Sequence, residues 1–173
     1  MGTLRACSRL TAPRFSTAVA NAAIVPAGTN GSVNVYVMDA TNVAIDINGY
    51  FAPPGADGLP LYSLTPCRVL DTRTNPVSVI SAEYDVNVTS SGCGAPAEAQ
   101  AYVFNATVVP PAKLGYLTMW PQGTTMPVVA NLNDTDGTIT GNMAVVPTSN
   151  GSISAFVTNP TQLVLDIFGY FAP

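Results

Sequence analysis

The eight residues DINGYFAP close at Pro53, and DIFGYFAP closes at Pro173. Each ends a longer copy. NAAIVPAGTNGSVNVYVMDATNVAIDINGYFAP starts at Asn21, and NMAVVPTSNGSISAFVTNPTQLVLDIFGYFAP starts at Asn142. The two align throughout, with one single-residue gap in the turn after the proline. Self-similarity over more than 30 positions marks an internal duplication. A fainter copy, NATVVPPAKLGYLTMWPQGTTMPVVANLN, starts at Asn105, 37 residues before Asn142. Each unit reads as strand, proline-bearing turn, strand, short turn, strand.

The period of the copies is two. Val33, Val35 and Val37 fall on one side of an extended chain, opposite Asn34, Tyr36 and Met38. Val43, Ile45 and Ile47 share a face, with Ala44, Asp46 and Asn48 behind them; the later copy sets Leu163, Leu165 and Ile167 opposite Asp166. Such alternation predicts half-buried strands rather than helices. TNGS and SNGS between them predict hairpin turns, because Asn and Gly accept positive φ at little cost.

Four segments follow from this organisation. Residues 1–15 form a basic tail and 16–53 a partial repeat, the C-terminal portion of the unit. Residues 54–60, rich in Pro and Gly, form a linker, and 61–173 a complete β domain. The predicted fold is all-β, an antiparallel sandwich of immunoglobulin-like or jelly-roll-like type. The units of about 37 residues raise a pseudo-threefold trefoil or prism as the alternative. Composition agrees with either: 47% of residues are hydrophobic and only 9% charged, against roughly a quarter in ordinary domains. Gly and Pro number 14 and 15, which suits a protein of many tight turns.

Charge excludes some partners. Arg5, Arg9 and Arg14 hold half of the basic residues, and the rest of the chain carries a net −7. An acidic body repels phosphate backbones, so nucleic acid is not an expected partner. No apolar run reaches the 18 residues of a membrane span. Pro13 and Arg14 break what would otherwise resemble a secretory leader. Histidine is absent, which removes Ser-His-Asp and Cys-His catalysis and the commonest zinc ligand. Phosphate-loop, dinucleotide and GxSxG signatures are missing too. No enzyme activity and no cofactor are expected.

Cys67 and Cys93 lie 26 apart among turn residues. A bond between them would stabilise the fold by about 3.5 kcal/mol in the chain-entropy model; two buried thiols are the alternative. Cys7 would remain over. The stretches TPCRVLDTR, GCGAPAEAQAYVFNATVVP, LGYLTMWP and LVLDIFGYF resemble a tandem all-β repeat of secreted or surface-associated proteins from acidobacteria and related soil bacteria. The resemblance spans Leu61 to Pro173 as a full unit and Ala20 to Pro53 as a partial one, and departs before Ala20. It implies an extracytoplasmic location, tandem use of the domain and a Cys67–Cys93 pair. It brings no established activity with it.

Few residues are candidates for a site. Arg68, Asp71 and Arg73 concentrate charge in an apolar domain, and Asp166, like Asp46, interrupts a strand that is otherwise apolar. A carboxylate placed so needs a cationic or hydrogen-bonding partner, so Arg68 or Arg73 is expected to pair with Asp71 or Asp166 and fix the register. Tyr116 and Trp120, four apart on one strand, share a face that could stack on a sugar, although core packing serves them equally. Asn133, Asp134 and Asp136 before Gly137 supply oxygen ligands of the kind Ca²⁺ takes, but the full loop signature is lacking and an Asp-Gly turn explains them. Asp71, Glu83, Asp85 and Glu98 are the carboxylates a glycosidase would need; their spacing fits surface solubility better. Three strands cannot cover their own apolar face. The partial repeat therefore predicts a homo-oligomer or polymer: an extracellular or cell-surface structural protein, a filament or surface-layer subunit. A carbohydrate-binding module with a surface-glycan ligand is the alternative.

Overall fold

The structure is a computed structural model that describes residues 21–22, 25, 27–47, 49–53, 55, 58–74 and 79–173. The expected basic tail 1–15, with Cys7, lies outside the described residues, as do 16–20 of the partial repeat. Among the described residues from Leu61 onward there are eight strands: β1 Leu61–Asp71, β2 Glu83–Asn87, β3 Ala101–Val109, β4 Gly115–Pro121, β5 Leu132–Asp134, β6 Thr140–Pro147, β7 Ser152–Val157 and β8 Gln162–Phe171. They form two packed antiparallel sheets of four, in the orders β1-β8-β3-β6 and β2-β7-β4-β5. The predicted all-β sandwich is the observed fold, and these orders are those of a jelly roll.

Strict alternation makes the core. In β3, Tyr102, Phe104, Ala106 and Val108 are buried while their sequence neighbours are half-exposed. β8 contributes Leu163, Leu165 and Ile167 from its inner face, all fully buried. Ile153, Ala155 and Val157 of β7 meet them from the other sheet. Each large aliphatic side chain sealed this way favours folding by about 1.5–3 kcal/mol.

The pairing follows one rule. The six ladders are β1:β8, β2:β7, β3:β6, β3:β8, β4:β5 and β4:β7. Every one joins a strand of the first half, β1–β4, to a strand of the second, β5–β8. Neither half pairs within itself. Two sequence expectations are corrected by this. The SNGS turn at residues 149–152 does not close a hairpin; it carries the chain from β6 in one sheet to β7 in the other. The threefold alternative also falls. β3 neighbours β6 and β4 neighbours β7, so the two 37-residue units begin in step. They part at the third strand, where β5 stays beside β4 and β8 crosses to the opposite sheet.

Residues 21–53 depart from expectation for the same reason. The strands predicted around 33–38 and 43–50 form no ladder among the described residues, and the only regular element is a 3-10 turn, Thr29–Gly31. That turn forms because its chemistry is local: Asn30 takes φ 58° and Gly31 φ 74°. Strands have no such independence. The segment copies β6, β7 and β8, whose hydrogen-bond partners all lie in β1–β4. It touches the domain where the Ala22 amide donates to Asn142 Oδ1 at 3.0 Å and where Phe51 lies 6.1 Å from Phe171.

Candidate functional site

The strongest concentration of polar chemistry lies on the outer face of β1 and β8. The β1:β8 register slips between Ser63 and Cys67 and again between Arg68 and Leu70, which leaves Arg68 directly across from Asp166. Arg68 Nε donates to Asp166 Oδ1 at 2.8 Å and Nη2 to Oδ2 at 3.2 Å, a two-pronged pair. Its Nη1 reaches Asp71 Oδ2 at 3.1 Å. Arg73 grips Asp71 from the far side, with Nε to Oδ1 at 2.8 Å and Nη2 to Oδ2 at 2.7 Å. The Arg73 amide adds a bond to Oδ1 at 3.1 Å. All four predicted residues thus meet in one chain, Arg73–Asp71–Arg68–Asp166.

The electrostatics follow from that chain. Hydrogen bonding from the Arg73 side chain, opposed by burial, holds the Asp71 carboxyl down at about 2. Asp166 raises Arg68, chiefly through its hydrogen bonds, and Asp71 raises Arg73 in the same way. Both arginine side chains stay nearly half exposed. Each carboxylate oxygen accepts from at least one N–H donor, and the Arg68–Asp166 pair joins β1 to β8. Beside it Cys67 bonds Cys93, which anchors β1 to the loop after β2. Pro66, Cys67, Arg68, Asp166 and Phe168 line a shallow open depression there.

Other candidates separate. Trp120 is 2% exposed, and its indole N–H donates to Thr124 O at 3.1 Å, so no ring face is open to a sugar. Tyr116 leans on Phe156, with ring centroids 6.0 Å apart. Asp134 is buried and its Oδ1 accepts from the amides of Asp136 and Gly137 at 3.0 and 2.7 Å, while Oδ2 has no hydrogen-bond partner. Asp136 Oδ1 is taken by the Thr138 amide and hydroxyl, and Asn133 sits opposite Tyr116 in the β4:β5 ladder. Among the described residues no group of three His, Cys, Asp or Glu side chains could hold a metal. Asp85 accepts from Ser154 Oγ at 2.6 Å and Gln122 Nε2 at 2.8 Å, and these two bonds, the hydroxyl first, hold it below the usual carboxylate range. It lies on the other sheet from Asp71. Glu83 and Glu98 enter no ion pair among the described residues.

Sequence reasoning passed over Gly169 and Thr72. A Cβ on Gly169 would stand 2.5 Å from the Tyr62 carbonyl oxygen, so only glycine lets β8 approach β1 there. GYFAP occurs in both copies, and that repetition was the available signal. Thr72 continues the β1:β8 contact, its Oγ1 accepting from the Leu163 amide at 2.9 Å; nothing in its neighbourhood announced it.

The second feature is an apolar surface. Val33, Val35, Val37, Val43, Ile45 and Ile47 are 41–85% exposed, whereas their counterparts Ile153, Ala155, Val157, Leu163, Leu165 and Ile167 are at most 1% exposed. The fold and these two features define a jelly-roll sandwich held by a disulfide and an ionic clasp, with an uncovered copy of its own closing segment. Such folds host many unrelated functions. No family model, curated protein or solved structure matches the chain. Among the described residues no helix is long and apolar enough to cross a membrane.

Proposed function

We propose that this protein is a non-enzymatic structural or adhesive protein of the extracellular or cell-surface space, which self-associates by strand docking and serves as a subunit of a filament or surface layer. One observation carries the reading. Six aliphatic side chains that are sealed in residues 142–173 stand in water in residues 21–53. Large apolar side chains left in water in such number are surface that an interaction would cover. The Cys67–Cys93 bond suits an oxidising compartment, and the polar cluster with every carboxylate oxygen occupied supports a load-holding role over a catalytic one.

The test is association of the purified full chain. Light scattering after size exclusion, with negative-stain microscopy, is expected to show assemblies at micromolar concentration. Val35→Asp with Ile45→Asp is expected to disperse them and leave the β1–β8 domain folded. A wild-type chain that stays monomeric at tens of micromolar overturns the reading.

A further inference from the structure

The turn from β5 to β6 holds a polar atom that the turn itself does not explain. Asp134 ends β5 and is 2% exposed. Its Oδ1 shapes the turn, accepting from the Asp136 and Gly137 amides at 3.0 and 2.7 Å. Its Oδ2 is shielded from water and has no hydrogen-bond partner. Asparagine would accept the same two amides with its one oxygen and carry no charge, so the turn does not call for a carboxylate. A shielded carboxylate oxygen is costly unless a donor or a cation meets it. A second acid stands beside it. Asp136 Oδ1 accepts from the Thr138 hydroxyl at 2.7 Å and its amide at 3.0 Å. These bonds, the hydroxyl first, hold Asp136 below the usual carboxylate range, and a smaller contribution from the Asp134 side chain sets the two carboxyl groups within hydrogen-bonding reach. Yet the ion pairs among the described residues all join Arg68 or Arg73 to Asp71 or Asp166; none reaches this turn. The backbone lying against it is Ala112–Lys113. A Cβ on Gly137 would stand 3.0 Å from the Ala112 carbonyl carbon and 3.3 Å from its oxygen. The Lys113 side chain is exposed.

We propose that the turn at residues 134–138 is a Ca²⁺ site, with Asp134 Oδ2 and the Asp136 carboxylate as its charged ligands and the Ala112 carbonyl and water as the others. Every donor at hand is a hard oxygen, which suits Ca²⁺ or Mg²⁺ and not the metals that take histidine or cysteine. Mg²⁺ demands a near-ideal octahedron and gives up water reluctantly, whereas Ca²⁺ accepts an irregular shell of side-chain, main-chain and water oxygens. Two carboxylates balance its charge. Asn133 takes no part, because alternation along β5 turns it to the other face from Asp134, where it lies across from Tyr116. Two acids and not three set the affinity low, on the order of 10⁻⁴–10⁻³ M, the range of extracellular modules. The bound ion ties the turn after β5, an edge strand of its sheet, to the loop that leads into β4. This site is independent of residues 21–53 and of assembly.

The full chain, stripped with a chelator, is titrated with CaCl₂ by calorimetry and melted with and without millimolar Ca²⁺. Binding in the stated range is expected, with a rise of a few degrees in the unfolding midpoint and Mg²⁺ weaker by about tenfold or more. Asp134→Asn keeps an oxygen for the two amides and removes the charge; it is expected to fold and to lose the calcium response. Asp136→Asn is expected to weaken binding severalfold. Asp85→Asn is the control, since Ser154 and Gln122 already occupy that carboxylate, and it should respond as the wild type does. A wild-type chain that shows neither heat nor shift at millimolar Ca²⁺ overturns the inference. So does a response that Asp134→Asn retains in full, which would place the ion elsewhere. Should Asp134→Asn fail to fold, Asp136→Asn decides, and an unchanged affinity there overturns the site. A calcium-indifferent wild type together with a more stable Asp134→Asn would show that Oδ2 lacks only a neutral partner, and overturns it equally.

Discussion

Asp71 lies between two guanidiniums at the end of β1, and its carboxyl titrates near 2 instead of 3.8. A depressed carboxyl contributes stability that is fully present above the unfolded value and is lost as pH falls through the folded one. Asp71→Asn is therefore expected to lower stability by about 1 kcal/mol near pH 6, a figure kept small because both arginines are solvated. The gap from wild type should close between pH 4 and pH 2 in urea titrations. A gap that persists unchanged at pH 2 would show that the clasp acts by shape, not charge. A second comparison uses the paired glycines. Gly169→Ala is expected to cost roughly 1–3 kcal/mol through overpacking against Tyr62, and Gly49→Ala less than about 0.5 kcal/mol; equal losses in thermal melts would mean that position 49 is already packed. At this scale the sequence was legible where a residue type was rare. Four charges in an apolar domain pointed to their own pairing. Trp120 was not legible, because whether the 122–131 loop covers a ring depends on contacts far from local pattern.

Strands behave differently from single residues. Period two correctly marked β6, β7 and β8, and marked the same faces in 21–53, where no ladder forms among the described residues. Alternation tells which side of a chain is apolar and nothing about what will supply the neighbouring amides and carbonyls. Leu165→Ala is accordingly expected to cost about 2–5 kcal/mol, and Ile45→Ala under about 0.5 kcal/mol, in denaturant unfolding of the full chain. Comparable losses would mean that both copies are seated. Reduction of Cys67–Cys93 removes the one covalent tie between β1 and the loop after β2. The expected loss is about 3.5 kcal/mol in the chain-entropy account, read from unfolding with and without a phosphine reductant. The bond was anticipated from turn residues around both cysteines and from the family resemblance; its partner strand was not.

For the molecule as a whole, the six ladders among the described residues fall within residues 61–173, so cooperative stability is expected to reside there. Limited digestion with a protease of broad specificity should trim the chain to a resistant fragment beginning near residue 60. Simultaneous loss of both parts would show that 21–53 is held as firmly as the sandwich. The amino-acid sequence by itself determined the class of fold and the charged residues that clasp β1 to β8, because these rest on alternation, turn chemistry and composition, which are local. Tertiary structure alone decided that the sandwich is a jelly roll, that Trp120 is sealed, and that the described residues of 21–53 form no ladder. Those outcomes depend on which strands meet, and in this fold every strand meets one from the other half of the domain.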